Sequence, residues 1–146
     1  MINRMIHGDV HELRLNRPPV NALSPDRLQF LADEVRRSPR QGARAIILSG
    51  REGIFSAGLD IPVLSKLERE DLGRGLGSLF DAIEALAASD VPVAAAITGH
   101  SPAGGAVLTL CCDWRVMAEG EFTIGLNEVR IGVPIPSIKK AKLVYF

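Results

Sequence analysis

Apolar residues along the chain fall into short runs whose spacing switches between the period of a strand and that of a helix. Residues 10–16 (VHELRLN) alternate imperfectly, with Leu13 and Leu15 on one face, which predicts a strand ended by Arg17-Pro18-Pro19. Ser24-Pro25-Asp26 predicts a helix start, with serine at the N-cap, proline at the first helical position and an acid in the first turn. Leu28, Leu31 and Val35 then repeat at helical spacing, and the helix ends before Pro39. Residues 43–48 (ARAIIL) predict a short buried strand, and residues 49–60 a loop holding Gly50, Gly53 and Gly58. Asp60 or Ser65 is placed to cap short helical pieces around residues 61–67. Leu72, Leu76, Leu79, Ile83 and Leu86 are spaced 4, 3, 4 and 3 apart, which predicts an amphipathic helix over about 71–88. Gly73, Gly75 and Gly77 weaken its first turns by about 1 kcal/mol each against alanine, and serve either close packing or mobility.

The longest uncharged stretch lies between Asp90 and Asp113, VPVAAAITGHSPAGGAVLTLCC. A small, apolar run (93–98) meets a turn cluster (99–105), and a second apolar run follows (106–112). This order predicts a buried strand, a tight loop and the N-terminus of a buried helix. The stretch is long enough to cross a membrane. Its centre, however, holds Gly, His, Ser, Pro and two further Gly, which would leave unsatisfied backbone in lipid, so no membrane span is expected. Beyond it, residues 114–118 predict a strand, 119–121 a turn, and 122–126 extended chain. Residues 127–130 predict a short helical turn closed by Gly132, after which Pro134 and Pro136 forbid a regular helix. Strands alternating with helices define an α/β class. The order also fits a dinucleotide-binding fold, but no GxGxxG opens a helix.

Composition narrows the partners. The chain has 146 residues, 17 basic and 17 acidic. That balance supplies no electrostatic reason for nucleic acid as a partner. Aromatic residues are 5% of the chain, too sparse for a base-stacking platform. Cys111 and Cys112 are adjacent and point apart on a helix, so they suit neither a disulfide framework nor a metal site, and no metal is expected. They fit a reducing, cytoplasmic setting. The first residues, MINRMIHGDVHELR, lack the apolar core of a secretory leader.

Two glycine loops are the candidates for chemistry: SAGLD at 56–60 and PAGG at 102–105, each after a buried strand. If those strands are neighbours, the loops meet at one end of the sheet, where α/β ligand sites form. One backbone N–H from each could then grip a single carbonyl oxygen. The competing reading is that Gly104 and Gly105 only permit close packing. Glu128, among Ile124, Leu126, Val129, Ile131 and Val133, is a candidate acid/base if buried, and a solvated glutamate if not. His100 suits a polar turn better than a base, since no triad spacing supports it. Asp60 suits a helix N-cap, Asp113 a cap or structural pair, and His7 and His11 a strand edge with no role.

Phe55–Ile61 (FSAGLDI), Gly99–Asp113 (GHSPAGGAVLTLCCD) and Ile124–Val133 (IGLNEVRIGV), preceded by NRPPVNALS at 16–24, resemble the enoyl-CoA hydratase/isomerase family, the crotonases. The resemblance covers residues 10 to about 136. It implies a spiral of ββα units and an acyl-CoA thioester as substrate, with no further cofactor. It also implies an oxyanion hole formed by the N–H groups of Leu59 and Gly104. Ala57, Gly58, Leu59, Asp60 and Gly104 would then contact substrate. Of the two glutamates that matter in the hydratases, the first falls on Val107 and the second on Glu128. One carboxylate suffices to move a proton between carbons, so the resemblance points to Δ3,Δ2-enoyl-CoA isomerisation. Members of the family continue well past this point and form trimers. This chain is therefore expected to be a single, shortened crotonase-like domain with a foreign tail from 137 to 146.

Overall fold

A computed structural model describes residues 2–126 of the chain. The elements arrive as repeated strand–strand–helix units. The first is β1 (Ile2–His7), β2 (Val10–Leu15) and α1 (Pro25–Arg37); the second is β3 (Ala45–Ser49), β4 (Gly53–Ile54), α2 (Ile61–Leu64) and α3 (Arg69–Ala87). The third is β5 (Val93–Ile97), β6 (Gly99–Pro102) and α4 (Gly104–Leu110), and β7 (Trp114–Met117) and β8 (Ile124–Gly125) follow. The first strand of each later unit joins a five-stranded sheet, order β1-β2-β3-β5-β7; the second joins a three-stranded sheet, order β4-β6-β8. All pairings are parallel except β1–β2. This is the α/β spiral of ββα units expected from the sequence.

The apolar faces of the central strands and of α1 make the core. Leu13, Ile46, Leu48, Val93, Leu28 and Leu31 are each wholly buried. Ser24 sits at the N-cap of α1 as expected, but its side chain makes no cap bond; its carbonyl accepts the Arg27 and Leu28 N–H groups instead.

Several expectations need correction. β1 was not anticipated, because INRMIH shows no clean alternation. It pairs along the whole of β2, which makes β2 an interior strand and buries His11 to 2% exposure instead of leaving it at an edge. The expected loops at 49–60 and 99–105 contain β4 and β6, strands of two and four residues whose glycines and proline read as turn. On α3 the leucine stripe is only part of the buried face: Leu86 is buried and Leu79 packs against the core, but Gly75, Ser78, Ala82 and Ala85 are buried beside them, while Leu76 is exposed. Small residues let α3 approach closely: a Cβ at Gly75 would stand 3.1 Å from Pro25 Cγ. Gly75 is therefore a packing residue, whereas Gly73 and Gly77 face open space. The helix after the central loop starts at Gly104, earlier than expected, and its Leu110 is exposed.

Candidate active site at the two glycine loops

β3 and β5 are hydrogen-bonded neighbours, with Ile46 opposite Val93 and Ser49 opposite Ala96. The condition for the two glycine loops to meet is thus fulfilled. The first loop is set by hydrogen bonds. Gly58 (φ +87°) lies in the left-handed region that glycine enters freely. Its carbonyl accepts the Leu23 N–H at 2.8 Å, and the Asp60 N–H returns to the Leu23 carbonyl at 2.9 Å. In a trans peptide the C=O and N–H point opposite ways. The Leu59 N–H therefore faces away from Leu23, and no acceptor among the described residues takes it. The Ala57 N–H is bonded to the Val20 carbonyl at 2.9 Å.

The second loop is set by shape. Ala103 holds φ +49° and ψ −125°, a conformation L-residues seldom adopt. Its N–H donates to the Gly125 carbonyl at 2.8 Å, which anchors the turn to β8. Gly104 then opens α4, and as a first helical residue its N–H has no partner within the helix. A Cβ on Gly105 would fall 2.5 Å from the Ser56 carbonyl oxygen, so only glycine fits there. A Cβ on Gly58 would fall 2.9 Å from the Gly104 nitrogen, and one on Gly104 3.4 Å from the Leu59 nitrogen. These clearances bring the Leu59 and Gly104 amides together across the gap between the loops. Two such N–H groups can donate to one oxygen.

Asp60 behaves as a cap. Its side chain accepts the Val63 N–H at 3.2 Å at the start of α2 and pairs with Arg17. The Arg17 hydrogen bond holds its carboxyl below the ordinary carboxylate value, against the opposing effect of burial. Ala57, Leu59 and Asp60 line a cleft of about 420 Å³ with Arg17, Pro18, Pro19, Val20 and Ile61. Gly104 adjoins Leu59 but is not among the residues lining this cleft. Val107, half-buried, stands one turn along α4 from Gly104, on the same side of the helix.

The remaining candidates stand apart. His100 is exposed on β6, where its ring meets Phe122 edge-on and its Nδ1 is bonded by Thr123. Asp113 accepts the Val93 N–H at 2.8 Å, the structural pairing expected of it. Both cysteines are free, and burial pushes the Cys112 thiol up to about 12. Among the described residues no group of three or more His, Cys, Asp or Glu could hold a metal ion, and no helix is long and apolar enough to cross a membrane. Glu128 lies outside the described residues. The residues that sequence reasoning missed are Asn21, Leu23 and Ser56, which hold the first loop in place. Their only signal is a polar or apolar side chain in a loop, which does not separate them from their neighbours.

A spiral of ββα units defines a class, and the comparisons agree with it. The enoyl-CoA hydratase/isomerase family model matches residues 5–144, and the chain belongs to that family. Mouse mitochondrial enoyl-CoA delta isomerase 1 is 37% identical over 127 residues, covering 85% of this chain and 44% of that protein. The probable enoyl-CoA hydratase echA17 of Mycobacterium avium (strain 104) is 38% identical over 124 residues, covering 83% of this chain and 47% of that one. Among solved structures, human mitochondrial delta3-delta2-enoyl-CoA isomerase matches with a TM-score of 0.86 at 29% identity, over 92% of this chain and 54% of that chain. The chain spans about half the length of the relatives it matches.

Proposed function

We propose that the protein is an acyl-CoA double-bond isomerase that moves a 3,4 double bond into conjugation with the thioester, the Δ3-to-Δ2 step of fatty acid oxidation. Similarity alone does not choose this over hydration, since the named isomerase and the named hydratase are 37% and 38% identical. The observation that supports the reading is the nearness of the two loops, where a Cβ on Gly104 would stand 3.4 Å from the Leu59 nitrogen, with apolar Val107 one turn along α4. In this reading the thioester oxygen sits between the two amides. The Glu128 carboxylate takes a proton from C2, the dienolate charge rests on the held oxygen, and the proton returns at C4. No water is added, which suits a site with valine where the resemblance puts the hydratases' first glutamate. The cleft between Pro18–Pro19 and Ile61 would take part of the ligand.

Incubation of the protein with a 3-enoyl-CoA, followed by the ultraviolet absorbance of the conjugated product, tests the proposal. Turnover is expected, and Glu128→Gln is expected to lower it by about 10²-fold or more while leaving binding intact. A folded protein without turnover, or a fully active glutamine variant, would sink the assignment. A second reading is a protein that binds acyl-CoA without converting it. Tight binding by calorimetry with no turnover selects that reading. The homotrimer implied for the full family domain is tested by a mass measurement in solution, and a cytoplasmic location by fractionation.

A further inference from the structure

We infer that Ser56 is a positioning residue, whose hydroxyl decides which amide of the first glycine loop is left free to face Gly104. Its catalytic consequence rests on the function proposed above; its structural content does not. Ser56 is wholly buried, and its hydroxyl works in both directions. It donates to the Asn21 carbonyl at 2.8 Å and accepts the Gly58 N–H at 3.1 Å. Gly58 and Leu59 present consecutive amides. The first is committed to Ser56, and the second has no acceptor among the described residues. The Gly58 carbonyl is committed to Leu23 as well, so both of Gly58's backbone polar groups are tied.

That double hold matters because Gly58 has no Cβ to limit its rotation. Without the Ser56 bond the Ala57–Gly58 peptide loses its anchor and the Gly58 N–H becomes a second unpaired amide beside that of Leu59, while the Gly58–Leu59 peptide keeps only the Leu23 bond to its carbonyl. The support behind Ser56 is stiff. Asn21, 1% exposed, sends its side-chain amide to the carbonyls of Leu15 and Phe55, both at 3.0 Å, and accepts the Arg17 N–H at 2.7 Å. A line of hydrogen bonds thus runs from the end of β2 through Asn21 and Ser56 to Gly58. Ser56 also touches the second loop, since its carbonyl oxygen is the atom against which Gly105 packs. One residue therefore sets the position of both loops, through its hydroxyl on one side and its backbone on the other.

Amide hydrogen exchange on the ¹⁵N-labelled full chain tests this without relying on catalysis. In Ser56→Ala the Gly58 amide is expected to exchange about tenfold faster or more, while the Leu13, Ile46 and Leu48 amides stay within about twofold of wild type. The Leu59 and Gly104 amide resonances are expected to shift. Ser56→Cys, which fills the space with a weak acceptor, is expected to fall between the two. With a 3-enoyl-CoA, Ser56→Ala should lose about tenfold in kcat with KM within about twofold. An unchanged Gly58 exchange rate would overturn the inference. So would equal acceleration of the core amides, which would make Ser56 merely a stability residue, or an undiminished kcat in an otherwise active protein. If wild type itself shows no turnover, the proposed function fails while the exchange rates still decide the role of Ser56.

Discussion

The two glycine loops end in the same kind of group, a backbone N–H with no acceptor among the described residues, but are held by different physics. The loop at 56–60 is held by hydrogen bonds, from Leu23, Val20, Ser56 and the Asp60–Arg17 pair. The loop at 102–105 is held by shape: a strained Ala103 and a Gly105 pressed on the Ser56 carbonyl. Hydrogen bonds can be removed one at a time, each for a modest loss. A steric fit tolerates no added atom where the opposing atom is backbone. The first loop should therefore respond in small steps and to pH, and the second abruptly and to volume.

The largest effect on stability is expected at Gly105. Gly105→Ala forces a methyl against a carbonyl oxygen 2.5 Å away, and overpacking of this kind costs about 3 kcal/mol at the upper end. In a chain of this size that lowers Tm by about 6–12 °C, read by thermal denaturation. An unchanged Tm would remove the shape argument. The next effect is expected at Asp60. Asp60→Asn keeps an acceptor for the cap but loses the charge that Arg17 meets, for about 1.5–3 kcal/mol at neutral pH. The Asp60 pKa is depressed in the folded state, so its contribution is complete above the unfolded value of about 3.9 and is lost as pH falls through that value to the folded one. Urea unfolding should show a gap between wild type and variant at pH 7 that narrows as the pH falls below the unfolded value of about 3.9. A gap independent of pH would mean that charge is not what Asp60 contributes.

The smallest effect on stability is expected at Gly104, next to the tightly packed Gly105. A Cβ there meets Gly58 Cα and the Leu59 nitrogen at 3.4 Å, an ordinary contact. Gly104→Ala should change stability by less than about 1 kcal/mol, helped by the better helix propensity of alanine. It should nonetheless lower isomerase turnover by about tenfold or more, because the methyl occupies the space beside the Leu59 N–H. A loss of Tm without loss of kcat would show that Gly104 packs the loop and does no more.

Much of this architecture was legible in the sequence, for identifiable reasons. β3 and β5 are bounded by turn residues and carry β-branched or small apolar side chains, and β2 sets Leu13 and Leu15 on one face. α1 announces itself through Ser24-Pro25 and the Leu28, Leu31, Val35 spacing. β4 and β6 were not legible because a strand of two to four residues shows no period, and glycine and proline within it signal a turn. The buried face of α3 was only partly legible, through Leu79 and Leu86, because hydrophobicity favours leucine, whereas much of the buried face is glycine, serine and alanine. The meeting of the two loops was foreseen only on the condition that their strands be neighbours, and pairing is a long-range property that no local pattern encodes. The Asn21–Ser56–Gly58 line was invisible for the same reason: Asn21 lies 35 residues from Ser56, and each member alone is an ordinary loop residue.

The β4–β6 ladder has one further consequence. Neighbouring strands in any sheet lie about 4.8 Å apart, and the two loops leave these neighbouring strands. The spacing from which the loops set out is thereby referred to a length standard made of main chain. Two tasks that are often entangled are separable in such a molecule. The sheet fixes where the loops start, and the bonds and close fits within each loop fix where its amide points.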